Sequence, residues 1–458
     1  MTDITIDLNE SEGFVVSPSE RTSDWVAAFI SYDNLLAALG TADERSLGYM
    51  LITSPSDLYT RLSATYETGW YVFNELDPET GEPTYTQGPP DKVGDDDPNW
   101  PNGPQTNLNG TLTGFGDDFF SVLRYLQYGG RCIVAGKPDN LPETVNKAIE
   151  TIENIPDVIN CIFNATGSET ENDIIIGIAE NRGDCLAICQ VDVKAPISST
   201  TPSGLPTTGT QSRNTFHVAG QIVSLGDSLS LSTGDDTNSN LVTTGAAAHV
   251  AGLCARRNVS SLPYGSIAGL ETGRCLNAIR MEYDLTSADR DSLAEKFVNP
   301  IRTFTGIPPV LFGDQTGNNG SEDRVFNYVN VSLTYHHINR SISDIVRQYM
   351  FRENTAANRA SLTTAIQTLL RRVLSAGGIS EFSVQCDDVN NPENVVLSGN
   401  LICDVTVKFV LSIQNITLRF RTLKSNQTTQ SSAASASTSS GTSTSGGGGA
   451  STSSGSSY

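Results

Sequence analysis

The sequence predicts an α/β plus α+β protein, with a mixed-sheet middle domain and a smaller C-terminal α+β domain. Three observations carry this. Helical and strand-like segments alternate over 115–323, which implies a partly parallel sheet covered by helices. Helical patterns followed by strands of strict period two fill 325–424. The chain has 458 residues, enough for two or three domains with sizeable cores.

Taken in order, Ile4, Ile6 and Leu8 alternate with Thr5 and Asp7, which is strand periodicity with no partner nearby. Residues 1–22 read as an arm, either frayed or lent to a neighbour's sheet. Residues 23–114 form an N-terminal region. It opens on "WVAAFI", a buried-strand candidate, and continues with a strand, a Ser-Pro break capped by Ser54 or Ser56, and a short helix. Its 74–111 stretch is a polar loop or insertion holding eight acids and one lysine between Glu75 and Asp97. Asp95-Asp96-Asp97 is acidic enough for calcium, but the spacing matches no EF-hand loop.

The middle domain, 115–323, begins with a helix bearing Phe119, Val122, Leu123 and Leu126. Gly129-Gly130 stops it before the buried strand "RCIVAG". "LPETVNKAIETI" is a helix with a proline start, "INCIFNAT" a strand, and "ENDIIIGIAENRGDCLAICQVDV" a helix then a strand. Residues 196–215 form a second loop. "HVAGQIVSL" precedes "TTGAAAHVAGLCARRNV", a helix of small residues, and a helix capped at Thr286 or Ser287 runs up to Pro300.

The C-terminal domain, 324–412, passes from strand to helix. A second helix spans about Thr355 to Ala376 with an apolar stripe of Leu362, Ile366, Leu369 and Val373. "EFSVQC", an Asn390-Asn391-Pro392 turn and a strand from Leu401 then suggest a hairpin. A strand arm, 413–424, alternates Ile416, Leu418 and Phe420 with Thr417, Arg419 and Arg421. Residues 425–458, nearly all Ser, Thr, Gly and Ala, cannot bury a core and read as a flexible tail.

Composition narrows the function. Lys and Arg number 29 and Asp and Glu 51, a net charge of −22, which argues against a nucleic-acid binder. Apolar residues are 38% and charged ones 17%, a surface suited to packing against copies of itself. The start carries no secretory signal and no run of 18 apolar residues occurs, so we expect no membrane insertion and synthesis in a cytoplasm. The eight cysteines lie scattered and read as buried, reduced hydrophobes.

Catalytic and metal patterns are weak. The histidines are His217, His249, His336 and His337. His249 lies five residues before Cys254, a spacing that faces them apart on a helix. Cys185 and Cys189 have no second pair at zinc spacing. Asp387 and Asp388 read as turn caps. No catalytic residue, metal or cofactor is assigned. A cytoplasmic α/β hydrolase using Cys254 or Cys185, and an adhesin or tail fibre, are the alternatives from other classes.

Four stretches resemble the tail sheath proteins of contractile bacteriophages and related injection systems. They are "GFGDDFFSVLRYLQYGGRCIVAG", "AAAHVAGLCARRNVSSLPYGSIAGL", "RTFTGIPPVLFGDQT" with "FNYVNVSLTYHHINRSISDIVRQYMFREN", and "LLRRVLSAGGISEFSVQCDDVNNPENVVLSGNLICDVTVKFV". Together they cover roughly 115–424. Ser261 to Gly265 replace the family's usual tryptophan-bearing loop, and Glu353-Asn354 lack its proline. The resemblance implies a structural protein of a virion tail, assembled in the host cytoplasm. It would polymerise with itself as stacked hexameric rings or a helix around a tail tube, with baseplate and tail terminator proteins at the ends. Contraction then drives the tube through the target envelope. A bacteriocin or secretion-system sheath is the alternative within the family.

On that reading Ile4, Ile6, Leu8, Ile416, Leu418 and Phe420 are the strands exchanged between subunits. The hairpin of Cys386 and Cys403 supports the sheet that receives them. Between Arg340 and Arg372 the six arginines Arg340, Arg347, Arg352, Arg359, Arg371 and Arg372 meet only Asp344 and Glu353, a local charge of +4. The family's use of this domain to line the inside makes them candidates to grip an acidic tube. Replacing Arg347 and Arg359 by glutamate is then expected to weaken that grip and spare the fold.

Overall fold

The computed structural model describes residues 25–31, 35–67, 71–76, 83–87, 116–136, 150–155, 159–206, 212–225, 241–258, 263–318 and 324–413. The arm of Ile4, Ile6 and Leu8, the arm of Ile416, Leu418 and Phe420, and the Ser/Gly-rich tail all lie outside these residues. The described residues up to Ser412 make one compact unit; the second, 413–458, lies outside the described residues beyond Ile413.

An eight-stranded sheet organises the larger part. In spatial order it runs β13 (Ile307–Leu311), β12 (Val298–Phe304), β8 (Thr215–Ala219), β7 (Leu186–Val191), β6 (Cys161–Phe163), β1 (Val26–Ser31), β5 (Arg131–Gly136) and β2 (Tyr49–Ile52). The six inner strands are parallel, and β13 and β2 close the two edges antiparallel. Parallel strands are buried on both faces, so β7, "LAICQV", is apolar on both sides apart from Gln190.

The alternation of side chains sorts the strands into two cores. Ala27, Phe29, Cys132, Val134, Phe163, Leu186 and Ile188 point to one face, against α4 (Gly116–Leu126) and α6 (Ala246–Asn258). Val26, Ala28, Ile30, Ile133, Ile162, Ala187 and Cys189 point to the other, against Ile175, Ile176, Ile178 and Ala179 of α5 (Glu169–Arg182). The strand expected at "WVAAFI" is therefore β1, and it occupies the middle of the sheet. Its partners β5 and β6 come from the expected middle domain, so one core runs across the boundary expected at 114/115.

Local chemistry explains the element ends. α3 (Pro55–Glu67) starts where Ser54 Oγ accepts from the Asp57 N–H at 3.1 Å, which selects Ser54 as the cap. α7 (Ser287–Ala294) is capped by Thr286 in a reciprocal box with Asp289. α1 (Leu35–Leu39) and α2 (Ala42–Leu47) precede β2. β9 (Gln221–Leu225) is the centre of a three-stranded antiparallel sheet, flanked by β10 (Leu241–Gly245) and β11 (Ala278–Met281). The acidic 74–111 stretch is not wholly a loop. β3 (Tyr71–Leu76) and β4 (Pro83–Gln87) pair antiparallel at its start.

The C-terminal part packs two helices, α8 (Val329–Arg347) and α9 (Ala356–Ser375), against a two-stranded antiparallel sheet. That sheet is β14 (Ile379–Gln385) with β15 (Asp404–Phe409). Its core holds Ile338, Ile342, Leu362, Ile366, Leu370, Val373, Ile379 and Cys386. The α9 stripe is as expected, except that Leu370 is the fully buried member and Leu369 only partly so. The connection between the strands is no tight hairpin: it holds the short helix α10 (Glu393–Leu397), and β15 begins at Asp404 rather than Leu401.

Candidate inter-subunit surface

The β14–β15 sheet has the form of an incomplete sandwich half. Phe382, Val384, Val405, Val407 and Phe409 face the helices, half-buried, while Glu381, Ser383, Gln385, Asp404, Thr406 and Lys408 face outward and are exposed. Among the described residues neither outer edge of this sheet pairs with another strand. Each edge offers a row of main-chain donors and acceptors.

The loop between the strands is held by amides. Asn391 Nδ2 donates to the Asp387 and Ile402 carbonyls at 3.0 and 2.8 Å, and its Oδ1 accepts from the Ile402 N–H at 2.7 Å. Asn390 Nδ2 donates to the Gln385 carbonyl at 2.7 Å and to Asp404 Oδ2 at 2.8 Å. The Asn-Asn pair thus clasps the two strand ends, so the stretch serves shape. Asp387 caps as expected, its Oδ1 accepting from the Val389 N–H at 2.8 Å. Asp388 does not; it pairs with Arg359. Cys386 and Cys403 sit opposite each other one step beyond the Gln385–Asp404 pair, and a hydrogen bond from Cys403 lowers the Cys386 thiol.

The six arginines are not one basic face. Arg359 is only 6% exposed, and its guanidinium is held by Asp388 and by Asn354 Oδ1 at 2.7 Å. Arg340 points inward, donating to the Ile159 carbonyl (3.1 Å), the Asp184 carbonyl (2.6 Å) and Asn160 Oδ1 (2.5 Å). Burial pushes its pKa down. Neither is placed to meet a tube, because each already satisfies acceptors within its own subunit. Arg347, Arg352, Arg371 and Arg372 are exposed. Arg347 pairs with Asp344 at 3.1 Å, and Arg352 lies 4.7 Å from the Tyr349 ring centre. On the same part of the molecule Phe351, Leu397 and Val389 are 93%, 79% and 78% exposed.

The residues raised as catalytic candidates, Cys185, Cys254 and His249, are buried. Burial pushes the Cys185 and Cys254 thiols up to about 12, so neither is a thiolate at neutral pH. His249 Nδ1 lies 3.1 Å from Tyr128 Oη, and burial lowers its pKa to about 3. Tyr128 Oη also accepts from the Leu276 N–H at 2.8 Å. Among the described residues no group of three or more His, Cys, Asp or Glu is placed to hold a metal, and no helix is long and apolar enough to cross a membrane.

With that geometry in view, similarity to known proteins is informative. The phage tail sheath C-terminal domain family matches residues 321–422. The tail sheath protein of Vibrio phage KVP40 is 33% identical over 174 residues, and that of Enterobacteria phage T4 is 28% identical over 259 residues. Those matches take in 38% and 54% of this chain but only 26% and 38% of the relatives' lengths. Among solved structures, a chain of the anti-feeding prophage baseplate superposes with a TM-score of 0.59 at 15% identity, covering 93% of this chain and all of that one. The contracted helical sheath of the same particle gives 0.59 at 14% identity, over 91% and 98%. At such identities these structures establish a shared fold. The chain is thus similar to phage tail sheath proteins, over residues 321–422 to their C-terminal domain family and over part of the curated relatives' length, and it shares the fold of the injection-system sheath structures.

Proposed function

We propose that this protein is the structural subunit of a contractile phage tail sheath. Copies polymerise around a tail tube, starting from a baseplate, and contraction drives the tube through the host envelope for genome delivery. One observation carries the reading beyond that similarity: the two-stranded β14–β15 sheet has both outer edges unpaired among the described residues. Exposed, unpaired edges on a free monomer invite uncontrolled pairing. In a polymer the same edges become receptors for arms from neighbours, and the chain has a period-two segment near each end to supply them.

Main-chain pairing suits a sheath because each bond contributes about 1 kcal/mol net and several in series hold while side-chain contacts change. The exposed Phe351, Leu397 and Val389 support the same reading, since large apolar side chains left in water mark surfaces that are covered on assembly. The stacked hexameric ring or helical arrangement, the tube, baseplate and tail terminator partners, and residence in the virion tail after assembly in the host cytoplasm belong to this proposal. The curated relatives, from phages, favour a phage tail over a bacteriocin or injection-system sheath. Negative-stain microscopy of the purified protein tests the proposal. Tubes or ring stacks are expected, and a protein that stays monomeric at high concentration with and without tube protein would refute it.

A further inference from the structure

A second surface, remote in sequence from the arms, is built around two arginines. β11, the segment after it, α7 and the β12–β13 hairpin enclose an open cavity of about 730 Å³. Arg290 of α7 and Arg302 of β12 both line it. Arg302 rests on two aromatic faces, 5.0 Å from the Phe304 ring centre and 4.8 Å from that of Phe312, with the rings themselves 5.3 Å apart. Stacking of this kind fixes the plane of the guanidinium and leaves its N–H fork free to bond. Arg290 donates to the Leu285 carbonyl at 2.5 Å.

Neither arginine makes an ion pair among the described residues. Asp284, the one acid in the lining, accepts instead from Thr303 Oγ1 at 2.7 Å. Two like charges therefore converge on one cavity, in a chain whose net charge is −22. Desolvation, and then the charge of Arg290, lower the pKa of Arg302. The arrangement costs the isolated subunit free energy, which an incoming anion recovers.

The cavity is larger than one phosphate or acetate needs, and falls in the range of roughly 300–1,000 Å³ that holds drug-sized ligands. Apolar surface borders the charges: Ile279 of the lining is 46% exposed and Phe312, under Arg302, is 41% exposed. A small ion would leave that surface wet, whereas a peptide covers it while its carboxylates meet the arginine forks. A second copy of the chain is itself rich in carboxylates. We propose that the Arg290–Arg302 cavity is a docking site for a carboxylate-bearing segment of a second copy of this chain. This rests on the reading that copies associate, and it adds an electrostatic contact to the strand pairing.

The test uses the full chain. Arg290→Glu/Arg302→Glu and Arg290→Lys/Arg302→Lys variants are compared with wild type by sedimentation velocity from about 50 mM to about 500 mM NaCl. Circular dichroism reports folding, and Arg290→Gln/Arg302→Gln replaces the glutamate variant should that one misfold. Wild-type association should weaken with salt. The reversal or glutamine variant should associate about tenfold or more weakly at low salt, while the lysine variant keeps most of the affinity. Variants that associate like wild type would overturn the inference and leave the sheath reading standing. Salt-sensitive, arginine-dependent oligomers that never grow into tubes would sink the sheath reading and leave this one. Wild-type chains that bind inorganic phosphate here but not one another would show a small-anion pocket and overturn it too.

Discussion

Arg340 Nη2 donates to Asn160 Oδ1 at 2.5 Å, a bond between positions 180 apart in the chain. It ties helix α8 to the residue that leads into β6. With the Ile159 and Asp184 carbonyls, one guanidinium ties the C-terminal helix pair to the N-terminal ends of two strands of the large sheet. Arg340→Met should therefore cost about 2–4 kcal/mol, since it strands three acceptors that are largely out of water. Urea unfolding measures this; a cost below about 0.5 kcal/mol would show that the joint contributes nothing.

The arginines divide into two experiments. Arg359→Glu places a carboxylate beside Asp388 in a site where Arg359 is 6% exposed, and should unfold or strongly destabilise the C-terminal part. Arg347→Glu/Arg371→Glu alters exposed side chains only and should leave the melting temperature within about 2 °C of wild type. If these two grip an acidic tube, pelleting of the double variant with tube protein should fall, most clearly at low salt. Unchanged pelleting would remove them from the tube contact.

Gly252 on α6 faces the Tyr128 ring, and a Cβ there would overlap it. The ring cannot retreat freely, because its hydroxyl is held by the Leu276 N–H and by His249. Gly252→Ala should thus destabilise by about 1–3 kcal/mol, although alanine is ordinarily the better helix former. A gain in thermal stability would show that this core is looser than its packing implies.

Acid should weaken the fold. Burial lowers His217 and His337 to about 4 and His249 to about 3, and lowers His336 as well. The unfolded chain takes up a proton at each near pH 6.5, while the folded chain does not until these lower values. Stability is therefore complete above about pH 6.5 and falls as pH drops toward the folded values, by roughly 2 kcal/mol per histidine at pH 5. Denaturant midpoints at about pH 7.5 and about pH 5 measure the loss, and His249→Gln should reduce it by about a quarter. A flat profile would contradict the buried, neutral assignment.

The arms give the direct test of polymerisation. Deleting residues 1–12 should abolish tubes and leave a folded monomer, and Ile6→Pro or Leu418→Pro should act alike because proline removes a ladder donor. Deleting 426–458 should leave tubes intact, as Ser/Gly sequence has little to bury. Microscopy and circular dichroism on each variant decide. Full-length tubes from the 1–12 deletion would rule out the amino-terminal arm as a connector.

Local periodicity made much of this molecule legible. The α9 stripe, the Thr286 cap and the alternation of β15 each depend on neighbours within a few residues, and each stands close to where its pattern put it. The central place of β1 had no such signal, since pairing with β5 and β6 joins segments more than a hundred residues apart. Arg359 is different: it continues the series Leu362, Ile366, Leu370 and Val373 by one turn, so its burial was readable from spacing. Charge alone placed it on the surface. The Arg290–Arg302 cavity brings together a helix and a strand through tertiary folding, and no motif marks it.

The position of β1 has a consequence for how the protein is born. This strand, "VAAFIS", is made before both of its neighbours, which lie about 100 or more residues downstream. At translation rates of about 5–20 residues per second it waits roughly 5–20 seconds for β5 to emerge. During that interval an apolar ribbon destined for the middle of a sheet is exposed on a nascent chain. The yield of folded protein should therefore depend on chaperone supply and on the pace of the ribosome, and slowing synthesis before β5 should cost more protein than slowing it after β12.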